Sequence, residues 1–200
     1  MEKNYHHGNL RAALIEAGLA ALEQQDTADL SLRAIARDVG VSANAAYRHF
    51  ADKDALLAAL AAEGFRRFAQ HQAQAAQGHA TALEARTTEG RAYIQFAQDH
   101  PALFRLMFGR FLNATANAEL QESATTAFQG LMDASARESS TPHDSEQVLM
   151  LAIARWSLVH GLSQLVLDGQ LAHFGDNIDR IIDGVLNLCK TSLMQPTKPK

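Results

Sequence analysis

Residues 31–53 read SLRAIARDVGVSANAAYRHFADK. Leu32, Ile35, Ala36 and Val39 recur at i, i+3, i+4 and i+7, which draws one apolar stripe along a helix. Ser31 suits the N-cap of that helix, and Gly40 suits a left-handed residue at its end. Ser42 offers a second cap, for a short helix from Ala43 to about Phe50. Its Ala45, Ala46 and Phe50 turn inward, while Asn44, Tyr47, Arg48 and His49 carry polar ends outward. Asp52 is placed to cap a third helix. Two short helices around a glycine turn, with polar tips on the second, make the pattern of a DNA-reading helix-turn-helix.

A structural three-helix bundle would show the same periodicity, so charge is the discriminating feature. In this stretch Arg33, Arg37, Arg48 and Lys53 face only Asp38 and Asp52, whereas the whole chain of 200 residues carries a net charge of −4. From Ala118 to Glu146 the balance reverses: Glu119, Glu122, Asp133, Glu138, Asp144 and Glu146 face only Arg137. An acidic protein with one basic segment is unsuited to coating nucleic acid and suited to one local contact with it.

On either side of this stretch the periodicity is helical. Asn9 can cap a helix from Leu10 to about Glu23, and residues 1–8 form an arm whose Lys3 is a candidate for the minor groove. Beyond Asp52 a long helix, DKDALLAALAAEGFRRFAQHQAQAAQ, carries Leu56, Leu57, Leu60, Phe65 and Phe68 on one side. Gly78 breaks it. Further helices are expected over about Thr81–Gln98, from Pro101 to Gly109, over about Ala116–Arg137, over Ser145–Leu167 and over about Asn177–Leu193, with ESSTPHDSE as a loop. No strand pattern, repeat or low-complexity tract is present. The expected fold is all-α: a three-helix head with a helix-turn-helix over residues 1–55, a helical ligand-binding and dimerisation body over 56–194, and a disordered tail over 195–200.

Composition narrows the function. One cysteine, Cys189, excludes a disulfide framework and a cysteine zinc site within the chain, and points to a reducing, cytoplasmic setting. The opening MEKNYHHGNLR has no apolar run and does not read as a signal peptide. The apolar stretch Val148–Leu167 is interrupted by Arg155, His160, Ser163 and Gln164, so it reads as a buried helix with no role in a membrane. No nucleophile stands at a recognisable spacing from a base, and there is no metal-ligand cluster and no glycine-rich phosphate loop. Catalytic residues, metal and cofactor are therefore all expected to be none, and the chain is not expected to be an enzyme.

The segment from Tyr5 to Lys53 resembles the tetracycline-repressor family of bacterial transcription regulators. The resemblance rests on NLRAALIEAGLAALEQ, on IARDVGVSANAAYRHF, and on the order Tyr47-x-His49-Phe50 followed by Lys53. In the body, AYIQFAQDHPALFRLMFG and RWSLVHGLSQLVLDG are similar to a branch of that family with a Trp-x-x-x-His-Gly motif, here Trp156, His160 and Gly161. The resemblance implies base contacts for Ala43, Asn44 and Arg48, and for Arg33 on the preceding helix. It implies phosphate contacts for Tyr47, His49 and Lys53, with Ser42 capping the reading helix and leaving its first amides near a phosphate. Base chemistry agrees, since Asn pairs with adenine, Arg with guanine, and an Ala methyl meets a thymine methyl.

Two sets of body residues are candidates. Tyr93, Phe96, Phe104, Met107, Phe128, Met132, Trp156 and His160 each read alone as ordinary core, but together could line an apolar ligand cavity, with Arg105 and Arg155 as polar candidates. Val159, Leu162, Ile178, Ile182, Val185, Leu186 and Cys189 lie on the last two helices, which are apolar on more than one side. They are the expected surface of a four-helix interface between two copies. The function this predicts is a homodimeric repressor, released from a palindromic double-stranded DNA operator by an unknown small-molecule effector. The other reading is a DNA-bound interaction module whose body binds a protein partner.

Overall fold

The computed structural model describes residues 9–79, 81–109, 117–139, 141–175 and 177–192. The described residues form helices α1 (Leu10–Leu22), α2 (Leu32–Val39), α3 (Ala43–Tyr47), α4 (Lys53–Ala75), α5 (Ala82–Asp99), α6 (Pro101–Phe108), α7 (Ala118–Ser139), α8 (Glu146–Leu167) and α9 (Ile178–Ser192), with a 3₁₀ turn at Ala172–Phe174. No strand occurs among them, so the fold is all-α. The arm and its Lys3, and the tail over 195–200, fall outside the described residues.

Caps fix where these helices start. Asn9, Ser31, Ser42, Asp52, Asn117, Ser145 and Asn177 each accept a hydrogen bond from the amide three residues on. Thr81 and Glu84 make a reciprocal capping box: the Glu84 amide donates to Thr81 Oγ1 and the Thr81 amide to Glu84 Oε2, both at 3.2 Å. Pro101 opens α6 at its first position, where its missing N–H costs nothing.

Two compact units are built from these helices. The first comprises Met1–Arg67 and His100–Thr125. Its core holds Leu14, Leu22, Ile35, Ala46, Phe50, Leu56, Leu60 and Phe104, all 2% exposed or less. Small residues let its helices approach closely. A Cβ on Gly18 would lie 2.9 Å from a Leu60 methyl, and one on Gly64 would lie 2.7 Å from the Met107 sulfur. Charged side chains link the same helices: Glu119 pairs with Arg11 and Arg66, and Glu63 with Arg66 and Arg67, while Arg67 also reaches Glu16. Burial works to raise the Glu63 pKa, but the hydrogen bonds from Arg67 and Arg66 outweigh it and leave the carboxyl below its ordinary range.

The second unit comprises Phe68–Asp99 and Thr126–Lys200. Ile94, Leu162, Leu171, Ile182 and Leu186 form its central cluster, with Val159, Val166, Ile178, Ile181 and Val185 packed against it. Burying side chains of this size contributes about 1.5–3 kcal/mol each. Helices α4 and α7 each run through both lists, changing unit at Arg67–Phe68 and at Thr125–Thr126.

Local differences from the sequence expectation have physical causes. Helix α3 stops at Tyr47, and Phe50 reaches the core from the turn that follows. Helix α7 continues through Glu138 to Ser139, since arginines from two other helices hold the Glu138 carboxylate. Helix α8 is the one described helix long and apolar enough to cross a membrane by length and composition, yet only 28% of its apolar window is buried within the chain.

Candidate nucleic-acid interface

The turn before α3 is closed by backbone bonds. The Val41 amide donates to the Ala36 carbonyl at 2.9 Å, and the Gly40 amide to Arg37 at 3.0 Å. Gly40 has φ +85°, which a side chain would strain, although a Cβ there would touch nothing within 4 Å. Glycine is thus required by conformation and not by space. Ser42 follows in an extended conformation, and its Oγ accepts from the Ala45 amide at 3.2 Å.

This geometry sorts the residues of α3 into two faces. Ala46 is fully buried and Phe50 is 2% exposed, and α3 packs on α1 and α2. Asn44, Tyr47, Arg48 and His49 are exposed, Tyr47 at 42% in spite of its apolar ring. Ala43 is half-buried at the helix start, and Arg33 and Arg37 are exposed on α2. The residues singled out for DNA contact are therefore gathered on the outer side of the helix-turn-helix. Lys53 is the partial exception: its ammonium donates to the Ala28 carbonyl and so ties the α1–α2 loop, with two N–H groups left for another acceptor. Arg11 sits 5.5 Å over the Phe50 ring, a contact that sequence periodicity does not reveal.

The eight pocket candidates divide between the units. Phe104 and Met107 are buried in the first, where Phe104 stacks on Phe108 at 4.9 Å. In the second, Tyr93 and Phe96 are buried and both meet the Phe68 ring edge-on, at 5.0 and 5.3 Å. The Trp156 Nε1–H donates to the Tyr93 hydroxyl at 3.2 Å, and that hydroxyl lies 2.9 Å from His160 Nδ1. Phe128 lies 6.1 Å from Trp156, and Met132 is half-buried one turn further along α7. Burial holds the Tyr93 phenol well above its ordinary pKa and pushes the His160 imidazole below its own. The imidazole tautomer sets which of the two donates in this contact. The Trp-x-x-x-His spacing puts both side chains within reach of one tyrosine on α5.

Of the interface candidates, Leu162, Ile182 and Leu186 are buried in the unit's own central cluster, and Val159, Ile178 and Val185 pack on it. Cys189 lies in α9, and its side chain falls outside the described residues. Trp156 is 36% exposed and Phe174 is exposed in the 3₁₀ turn, and other apolar side chains face outward too: Met150, Ile153 and Leu165 on α8, and Leu188 on α9. Their spacing, with Ala154, Ser157 and Gly161 exposed between them, makes a second α8 face that a single-face reading overlooks. No group of three or more metal-ligating side chains occurs among the described residues.

Residues 87–188, just over half of the chain, match the model of the tetracyclin repressor-like C-terminal domain, and residues 14–60 match that of the bacterial regulatory proteins of the tetR family. The chain belongs to the tetracycline-repressor family. This TetR-family protein is a DNA-binding transcription regulator with an N-terminal helix-turn-helix head and a helical C-terminal body. Among solved structures, it is similar to a protein of unknown function from Rhodococcus sp. RHA1, with 28% identity over 97% of this chain and 100% of that one, at a TM-score of 0.84. More distant structures share the fold. The fatty acid degradation regulator FadR from Bacillus halodurans is 15% identical over 98% of this chain and 100% of its own, with a TM-score of 0.66. TetR-Q116A from Acinetobacter baumannii AYE, solved in complex with minocycline, is 17% identical over 92% and 95%, with a TM-score of 0.62.

Proposed function

We infer that this regulator is a homodimeric repressor whose two heads read a palindromic operator and are released by a small-molecule effector. The observation that carries this reading is the exposed row on α3: Asn44, Tyr47, Arg48 and His49 face outward from a helix anchored by Ala46 and Phe50. A helix of five residues offers few base contacts, so one head is a weak reader and two are needed. In this reading Asn44 and Arg48 meet base edges, with Ala43 and Arg33 beside them, while Tyr47, His49, Lys53 and the Ser42-capped end of α3 hold phosphates.

A second copy is supported by the outward face of α8. Met150, Ile153 and Leu165 flank the small residues Ala154, Ser157 and Gly161, the relief a packed helix needs, and Leu188 extends the surface onto α9. The buried Leu162, Ile182 and Leu186 support that surface from beneath. Release follows from population shift: an effector that favours a body conformation unsuited to the operator lowers DNA affinity by its differential affinity for the two states. Helices α4 and α7, each belonging to both units, are the levers in this account.

The test is selection of bound duplexes from random DNA, followed by sedimentation of the complex. An inverted repeat holding two chains supports the reading, and a single asymmetric site holding one chain rejects it.

A further inference from the structure

A buried ionic cluster in the second unit remains outside this account. Arg86 on α5 donates through Nη1 to Glu138 Oε1 at 2.9 Å, and Arg155 on α8 pairs through Nη2 with Glu138 Oε2. Arg155 Nη1 donates to Ser135 Oγ at 3.0 Å. The three charged side chains are only 12%, 6% and 8% exposed for Arg86, Glu138 and Arg155, and Ser135 is fully buried. Two cations thus converge on one carboxylate, away from water. A further acid that acts on Arg155 is Glu89, whose own burial pushes its carboxyl pKa up against the pull of Arg137, Arg155 and His79. Burial and the neighbouring Arg86 push Arg155 down to about 10, against the pull of Glu89. Arg155 Nε has no hydrogen-bond partner among the described residues, a buried donor without an acceptor.

Glu138 is held there against the preference of its own helix. It lies in the last turn of α7, where the helix dipole disfavours a carboxylate. Two arginines hold its carboxylate, so a second carboxylate exchanging for it leaves the charge beside them unchanged. The same three helices carry an aromatic end. Arg86 and Tyr93 are seven residues apart on α5, about 10 Å at 1.5 Å per residue, and Tyr93 meets Trp156, the neighbour of Arg155, which in turn meets Phe128.

We propose that Arg86 and Arg155 recognise the acid group of the effector, and that the effector is a monocarboxylate with an apolar body about 10 Å long lying toward Tyr93, Trp156 and Phe128. The inference rests on the reading of the chain as effector-responsive. The effector carboxylate takes the place of Glu138 on the two guanidiniums and gives Arg155 Nε its acceptor. Glu138, released, no longer holds the end of α7 against α5 and α8.

The probe is octanoate, an acid with an apolar chain of about that length, compared with uncharged octanamide by calorimetry and thermal unfolding of the full chain. Octanoate is expected to bind the native protein more tightly than octanamide. Glu138→Gln, which removes the competing charge and keeps the shape, is expected to bind octanoate at least tenfold more tightly and to recover with it the melting temperature the substitution costs. Arg155→Gln is expected to weaken octanoate at least tenfold, and Arg86→Gln carries the same expectation should Arg155→Gln not fold. Equal binding of acid and amide, unchanged affinity in Glu138→Gln, or failure of that variant to bind octanoate overturns the proposal. DNA retention separates it from the wider reading. Charge-dependent binding of octanoate without release of DNA leaves the acid site standing and rejects effector release. Equal binding and release by acid and amide does the reverse.

Discussion

The Tyr93 hydroxyl stands 2.9 Å from Nδ1 of His160, and it accepts the Trp156 indole N–H at 3.2 Å on its other side. One phenol therefore joins α5 to two successive turns of α8. Tyr93→Phe keeps the ring against Phe68 and removes only the oxygen. The loss is expected to be about 1–3 kcal/mol, since the Trp156 indole N–H and a His160 ring nitrogen each lose a hydrogen-bond partner worth about 0.5–1.5 kcal/mol. Chemical denaturation checks this, and a change below about 0.5 kcal/mol would show that the chain of bonds is energetically idle.

The same contact sets a pH dependence. Burial lowers the His160 pKa below its unfolded value of 6.5, so the unfolded chain binds the proton more readily than the folded one. The contribution is fully present above pH 6.5 and is lost as pH falls through the depressed folded value. Stability should therefore fall on acidification below pH 6.5, and His160→Gln should flatten that part of the curve. Melting temperatures of the two proteins between pH 5 and 8 give the comparison, and parallel curves would contradict it.

At the head, Gly40→Ala should destabilise by about 1–2 kcal/mol, because φ +85° forces the new side chain into the left-handed region. Space is open there, so the cost is conformational, and Gly40→Asn should recover part of it. Thermal unfolding of the pair decides. An alanine variant as stable as the native protein would mean that the turn relaxes.

Contacts on α3 should separate by type. Tyr47→Ala is expected to weaken binding to all duplexes alike, whereas Arg48→Ala should also change which bases are preferred. Binding to a set of single-base operator variants measures both. Equal losses across the set for the two substitutions would reject the division into phosphate and base contacts.

Subunit contacts should track exposure and not hydrophobicity. Ile153→Glu and Leu165→Glu place charge on the outward face of α8 and should yield folded monomers. Leu186→Glu places charge in the unit's own cluster and should unfold it. Sedimentation and far-ultraviolet circular dichroism tell these apart, and intact dimers in the first two variants would move the interface elsewhere.

These contrasts show how far sequence reaches. The helix-turn-helix was legible because caps, glycine turn and apolar spacing act over a few residues: Ser31, Gly40, Ser42 and Ala46 all do what local chemistry predicts of them. The body helices were legible as helices for the same reason. Which of their apolar faces points inward was not, because α8 has two such faces and periodicity cannot say which one meets α5 and α9. Leu162 and Leu165 are three residues apart, yet one is buried and the other 45% exposed. Glu138 is the opposite case. It stands in a run that composition marks as loop, but arginines 17 and 52 residues away along the chain hold it on α7. Contacts of that separation leave no local trace in a single sequence.

The central claim is that two α3 helices read one palindrome, and selection of bound duplexes from a random pool tests it most directly. The account predicts enrichment of an inverted repeat whose half-sites lie about 34–36 Å, or a multiple of that, from centre to centre, with enrichment lost in the Asn44→Ala, Arg48→Ala double variant. Enrichment of a single asymmetric site, or of the same repeat by the double variant, would contradict it.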